Sequence, residues 1–253
     1  MDAKKTVKEL VNWLKNWFDI NGKDSIAVIG ISGGKDSSIV ASLCVKALGK
    51  DRVLGVMMPN GTQNDIDDAI RLCKLLDIKN ITVNIKDTVD AEKKTLLSEL
   101  KKINIDELTN QTLTNLPARI RMVTLYGISQ TVNGRVINTS NLSEIWIGYS
   151  TRFGDSAGDV SPLANLTVSE VKEIGLELGL PSDLVNKVPS DGLSGKTDED
   201  NIGFTYNTLD KYLREGICED QNIKKLIDER HKNNEFKTKK IPSFEYGKVL
   251  IDK

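Results

Sequence analysis

Residues 30–37 read Gly-Ile-Ser-Gly-Gly-Lys-Asp-Ser and follow directly on the apolar run Ile26-Ala27-Val28-Ile29. A buried strand that runs into a glycine turn and then a helix aims backbone N–H groups, the Ser32 and Ser37 hydroxyls and a helix N-terminus at one point. Such a point binds anions, and phosphate is its usual occupant. The spacing is not that of a Walker A loop. Gly30 has a glycine four residues on, at Gly34, where the Walker A spacing needs one five on, and Asp36 follows Lys35 where Ser or Thr would stand. On these grounds alone Asp36 reads as a helix-start charge that the dipole favours by about 0.5 kcal/mol.

The elements that must carry this loop alternate. Val7, Leu10, Val11, Leu14, Trp17 and Phe18 recur at helical spacing, so residues 3–20 read as an amphipathic helix ended by Gly22. Strands are expected at 25–32, 53–58, 80–85 and 135–138, and helices at 36–48, 63–76, 88–102, 117–131 and 141–149. Residues 103–115 look irregular, with Pro117 in the first turn of the helix that follows. Thr167-Val168-Ser169-Glu170 is a capping box opening a helix to Leu178, and two more helices are expected at 201–213 and 219–234. This order implies an α/β fold, a Rossmann-like parallel sheet with helices on both faces. Ligands then bind beyond the carboxyl ends of the strands, where Ser32, Met58-Pro59 and Thr139-Ser140 converge. No Pro/Gly/Ser linker divides the chain, so residues 1–253 read as a single domain.

Composition narrows the class of function. The 35 basic and 36 acidic residues leave a net charge of −1, which gives no basic footprint for nucleic acid. Cys44, Cys73 and Cys218 are scattered and form no C-x-x-C, so reduced thiols in a cytoplasmic setting are expected, with Cys44 and Cys73 as small core residues. No signal-peptide block is seen, and no apolar stretch approaches the roughly 18 residues of a membrane span. The chain has a single histidine and shows no sign of a Ser-His-Asp or Cys-His set.

Ser-Gly-Gly-x-Asp-Ser resembles the loop of the ATP pyrophosphatases, which cut ATP between the α- and β-phosphates. Further on stand Asn138–Gly158 (NTSNLSEIWIGYSTRFGDSAG), Pro162-Leu163, Lys187-Val188-Pro189-Ser190 and Thr197-Asp198-Glu199. In this order, with the phosphate loop in front, they resemble the ammonia-dependent NAD synthetases over nearly the whole chain. The resemblance implies an adenine-nucleotide α-hydrolase fold and a homodimer with the substrate site at the subunit interface. It implies that ATP adenylates the nicotinate carboxylate of deamido-NAD with release of pyrophosphate, and that ammonia then gives NAD and AMP. The chain leaves no room for a glutaminase, so free ammonia is the expected nitrogen donor. Paired cysteines of the sulfur-inserting tRNA enzymes are absent.

Carried over residue by residue, the resemblance puts the ATP phosphates on Gly30, Ile31, Ser32, Gly33, Gly34, Lys35, Asp36 and Ser37, with the Lys35 side chain facing solvent. Asp36 and Glu144 would hold Mg²⁺, which takes one or two carboxylates plus phosphate oxygens and waters. Thr139 and Ser190 match hydroxyls that touch ATP, and Gln63 a position near the adenine. Asn115, Arg119, Arg152, Asp155, Asp159, His231 and Lys232 match positions for deamido-NAD. Without the resemblance, the alternative for Glu144 is a solvated helix residue and that for Arg119 a surface helix charge. Asp155 and Asp159 read as turn-shapers, and His231 as a dipole-stabilised helix end. Trp13, Trp17 and Phe18 read as core or as part of a dimer face. One departure concerns Val168, where the family often places a lysine that reaches the ATP phosphates; Lys187 and Lys196 are the candidates to replace it. The three lysines Lys237, Lys239 and Lys240 depart from the commoner ending of the family after His-Lys.

Overall fold

The structure is a computed structural model, and it describes residues 1–63, 66–187, 197–244 and 246. Four parallel strands, β1 (Ile26–Gly30), β2 (Val53–Met57), β3 (Lys79–Thr82) and β4 (Gly134–Val136), lie in the order β3-β2-β1-β4. Ala27 pairs with Val53 and Gly30 with Val56, while Val28 pairs with Val136 on the other side. The sheet thus turns outward from β1 in both directions, and the β1–β4 edge marks the switch at which ligands of such sheets bind.

Side chains alternate across the sheet and meet a separate core on each face. Ala27, Ile29, Val53 and Met57 pack with α1 (Ala3–Asn21), α2 (Lys35–Leu48), α3 (Ile66–Leu75), α7 (Val168–Glu177) and α8 (Ser182–Val185). Val28 and Val56 face α4 (Lys86–Leu100) and α5 (Asn110–Thr131) through Val89, Leu116, Ile120 and Ile128. A third cluster joins α6 (Leu142–Ile147) to α9 (Asp198–Ile202), α10 (Tyr206–Glu215) and α11 (Gln221–Asn234) through Ile147, Ile202, Phe204, Leu209 and Ile227. In α1, Phe18 is core, Trp17 packs against the core and Trp13 is exposed.

Three boundaries differ from the sequence reading. α5 begins at Asn110, so part of the segment expected to be irregular is helical and Pro117 lies well inside the helix. Thr109 starts it by accepting from the Thr112 N–H at 3.2 Å, and buried Pro117 forgoes one backbone bond in return for packing. The single helix expected at 201–213 is two, because Gly203 closes α9 and Thr205 caps α10 anew. α6 stops at Ile147, where Gly148 takes left-handed backbone angles. Among the described residues no helix is long and apolar enough to cross a membrane.

Candidate active site

Beyond β1 the chain turns through Gly33, whose φ of +81° suits glycine. Ser32 Oγ lies 3.1 Å from Ser37 Oγ, the Gly34 N–H donates to Ser32 Oγ at 3.2 Å, and Ser38 Oγ donates to Gly34 O at 2.7 Å. Among the described residues no side chain caps α2, so its first N–H groups remain aimed at the mouth of the loop. Gln63 Nε2 donates to Ser32 O at 3.4 Å, which places this residue on the phosphate loop itself.

The expectation that Lys35 faces solvent is overturned: the residue is 3 % exposed and its ammonium lies 2.6 Å from Asp36. Burial alone would lower its pKa, but the charges of Asp36, Glu144 and Asp198 prevail and hold the ammonium above its ordinary value. A position read only for its place in a motif gave no sign of the carboxylates that fold around it.

Asp36 Oδ1 accepts from Asn141 Nδ2 at 3.2 Å, across 105 residues of sequence. Asn141 also starts α6: its Oδ1 accepts from the Glu144 N–H at 3.1 Å, and Glu144 Oε2 accepts from the Asn141 N–H at 3.3 Å. One asparagine thus links the two candidate metal carboxylates, from α2 and α6, at the β1–β4 edge. Burial and then the Asp36 charge push the Glu144 carboxyl up to about 8, with Lys35 opposing. Glu144 is half-buried with its carboxylate and its N–H both bonded to Asn141, so it is no freely solvated helix charge. The donor set, two oxygen-bearing carboxylates beside an anion cradle, fits Mg²⁺. Among the described residues no cluster of three or more His, Cys, Asp or Glu forms a metal cage.

A buried network holds α6 in place. Asp210 on α10 accepts from Ser143 Oγ at 2.5 Å and from Ser169 N–H and Oγ at 2.8 and 2.7 Å, and the Val168 N–H donates to Ser143 Oγ at 3.1 Å. The Val168 side chain joins the third apolar cluster. Of the candidates to replace a lysine there, Lys187 reaches the loop, with Nζ 3.4 Å from Gly33 O and 2.6 Å from Asp68. Lys196 lies outside the described residues, as does Ser190. A cavity of about 250 Å³, lined by Val168, Ser169, Lys187, Thr197 and Tyr206 among others, opens on this side. The Tyr206 hydroxyl is buried with no hydrogen-bond partner among the described residues.

Thr139 is half-buried at the end of β4, between Asn138 and Ser140. Asn138 Nδ2 donates to Asp155 O at 2.8 Å and Ala157 O at 3.1 Å, tying the Gly-Asp loop to that strand. Within the loop, Asp155 accepts from the Thr151 N–H at 2.8 Å and Asp159 from the Val136 N–H at 2.7 Å. Asn115 accepts from Thr151 Oγ1 at 2.9 Å. The Arg152 guanidinium stands over the rings of Phe153 and Phe236, at 4.9 and 5.6 Å. His231 stacks on Trp146 with ring centres 3.9 Å apart, and its Nδ1 lies 2.8 Å from Trp146 O. Arg119 lies on the exposed face of α5, and Lys232 on the exposed face of α11. The inward arginine of α5 is Arg121, whose Nε donates to Met58 O at 3.1 Å. Arg121, Asn138, Asn141 and Asp210 were not singled out in the sequence, because their partners lie 17 to 105 residues away.

A parallel sheet with an uncapped helix N-terminus, a serine–glycine phosphate loop and two carboxylates at its switch point defines a nucleotide-binding α/β enzyme. The NAD synthase family profile matches residues 6–245. The chain is 38% identical over 234 residues to the NH(3)-dependent NAD(+) synthetase of Thermococcus sibiricus, covering 88% of each. It is 37% identical over 250 residues to that of Finegoldia magna, covering 98% of this chain and 99% of the relative. Among solved structures, an NMN synthetase from Francisella tularensis superposes with a TM-score of 0.86 at 34% identity, covering 97% of this chain and 100% of that one. The NH3-dependent NAD synthetase of Campylobacter jejuni, solved with nitrate, gives 0.77 at 31% identity with the same coverage. The chain belongs to the NAD synthase family, and it is an ATP-using ligase with the adenine-nucleotide α-hydrolase fold.

Proposed function

We propose that this chain makes NAD from deamido-NAD, ATP and ammonia through an acyl adenylate. The observation that carries the reading is the convergence of the phosphate loop, Asp36 and Glu144 through Asn141 in a chain of this family. A carboxylate is a poor electrophile, and its attack on the α-phosphorus brings two anions together. The protein must hold both reactants in line and neutralise the leaving group. Ser32, Gly33, Gly34 and Ser37, with the N-terminus of α2, would cradle the β- and γ-phosphates, backed by Gly30, Ile31, Lys35 and Lys187. Thr139, Ser190 and Gln63 would complete the ATP site. Asp36 and Glu144 would hold Mg²⁺, which when bound neutralises charge on the phosphates. A nicotinate oxygen bonds to the α-phosphorus as the bond to the β-phosphate oxygen breaks, and pyrophosphate leaves. Ammonia nitrogen then bonds to the acyl carbon, the bond to the AMP oxygen breaks, and a proton is lost from nitrogen to water.

Asn115, Arg152, Asp155, Asp159 and His231 would hold deamido-NAD beside this site. Arg119 and Lys232 lie on outward faces, a placement that suits contacts completed by a second copy of the chain in a homodimer. The reading places the enzyme in the cytoplasm, where its substrates are small and soluble.

A second reading is favoured by one observation, the higher TM-score to the NMN synthetase. In that reading the acid is nicotinate mononucleotide and the product NMN. Equal amounts of the two acids, offered together with ATP, Mg²⁺ and ammonium, separate the readings by mass spectrometry of the products. NAD in excess supports the first, and NMN in excess replaces it with the second. Neither product, with AMP formed from some other acid, overturns both.

A further inference from the structure

The C-terminal end of α11 and the short 3-10 turn Glu235–Lys237 grip one short stretch of chain, residues 146–153. The contacts follow in order. His231 stacks on Trp146 and bonds its carbonyl. Asn234 lies so close to Gly148 that a Cβ there would come within 2.1 Å of the Asn234 Cβ. The Arg152 guanidinium lies 4.9 Å from the Phe153 ring centre and 5.6 Å from the Phe236 ring centre. Lys237 Nζ donates to Gly148 O at 2.7 Å and to Ser150 O at 3.1 Å.

These carbonyls lie just past the end of α6, where a cation meets the negative end of the helix dipole. Partial burial lowers the Lys237 pKa and the Asp155 charge opposes. Phe153 itself holds a left-handed φ of 60°, which a bulky residue keeps only where its surroundings enforce it. Arg152 Nε is buried with no hydrogen-bond partner among the described residues, so ring contact rather than a carboxylate orients the guanidinium. A guanidinium held by ring contacts keeps its terminal nitrogens free to pair with a phosphate or carboxylate.

Resting on the proposed function, we infer that Phe236 and Lys237 are positioning residues for the acid substrate: they fix segment 148–155 so that Arg152 meets an anionic group of the pyridine nucleotide. They touch no substrate themselves, and the phosphate loop on α2 is independent of them.

The test uses full-length Lys237→Met and Phe236→Leu, with Lys239→Met as the control in the same tail, since among the described residues Lys239 pairs with Glu235 alone, at 2.7 Å. Hydrogen exchange reads the brace, and separate KM values for the acid substrate and for ATP read its use. Both variants should exchange faster across 148–155 and not across α2. Their KM for the acid should rise about tenfold or more while KM for ATP stays within about twofold. Lys237→Arg, which keeps a donor to both carbonyls, should recover most of the loss and guards against a variant that merely folds poorly. Unchanged exchange at 148–155 overturns the brace. Faster exchange with no change in either KM, or with equal rises in both, overturns the recognition role. If the unaltered chain turns over no pyridine nucleotide acid, the functional reading fails and the recognition role with it, while hydrogen exchange still decides the brace.

Discussion

Gly148→Ala should cost far more than a glycine-to-alanine change in a loop ordinarily does. Two terms add. The residue sits at φ 63°, ψ 32°, where an L side chain costs about 1–2 kcal/mol. The new Cβ would also stand 2.1 Å from the Asn234 Cβ, which is about 1.5 Å inside carbon–carbon contact. Neither atom is the far end of a flexible side chain, so α11 must move, and overpacking of this kind costs about 1–3 kcal/mol. The total, on the order of 2–5 kcal/mol, corresponds to a fall in Tm of roughly 5–20 °C for a chain of this size. Urea denaturation of the single variants and the pair supplies the assay. Asn234→Gly removes the clashing Cβ, so the double variant should regain about 1–3 kcal/mol relative to additivity. Asn234→Ala keeps the Cβ and should regain little. If Gly148→Ala lies within about 0.5 kcal/mol of the unaltered chain, or if Asn234→Gly and Asn234→Ala behave alike, the close packing of α11 on α6 is refuted.

Three further outcomes are expected. Asp36→Asn should lower AMP formation at least about a hundredfold and, by stranding buried Lys35, cost about 3 kcal/mol of stability; adding Lys35→Met should restore the stability but not the activity, and recovery of both would remove Asp36 from the chemistry. Burial would raise the Glu170 carboxyl, but Arg214 and the Thr167 N–H prevail and hold it below its ordinary value, so its contribution is full above a pH of about 4.5 and is lost as pH falls through the depressed value. Glu170→Gln should therefore flatten the acid limb of the stability profile and cost about 1 kcal/mol near neutral pH, the Arg214 partner being well exposed; an unchanged limb contradicts the pairing. Burial pushes the Cys44 thiol up to about 12 and the Cys73 thiol up to about 11, so a thiol reagent at about pH 8 should label Cys218 alone until denaturant is added.

The order of elements and the phosphate loop were legible because they rest on local signals. The apolar run before Gly30, the capping box at Thr167 and Gly22 each announce themselves within a few residues. The tertiary environment was not. The sequence points Lys35 to solvent because its neighbours in sequence say nothing of Glu144 and Asp198, which come to it from α6 and α9. Pro117 was read as a helix start because a proline is usually that, whereas a strong cap at Thr109 and burial carry α5 through it. The resemblance names Asp36 and Glu144 separately, but not Asn141, whose three bonds hold them together. The tail showed only an unusual run of lysines, and its grip on Arg152 depends on the path of α11.

The central claim is that ATP is cut at the α-phosphorus by a carboxylate of the pyridine nucleotide. Deamido-NAD carrying heavy oxygen in its nicotinate carboxylate, incubated with the chain, ATP, Mg²⁺ and ammonium, tests it in one mass spectrum. One heavy oxygen in AMP, formed in step with NAD, is the predicted result. Heavy oxygen in inorganic phosphate or pyrophosphate, with AMP unlabelled, would contradict the account.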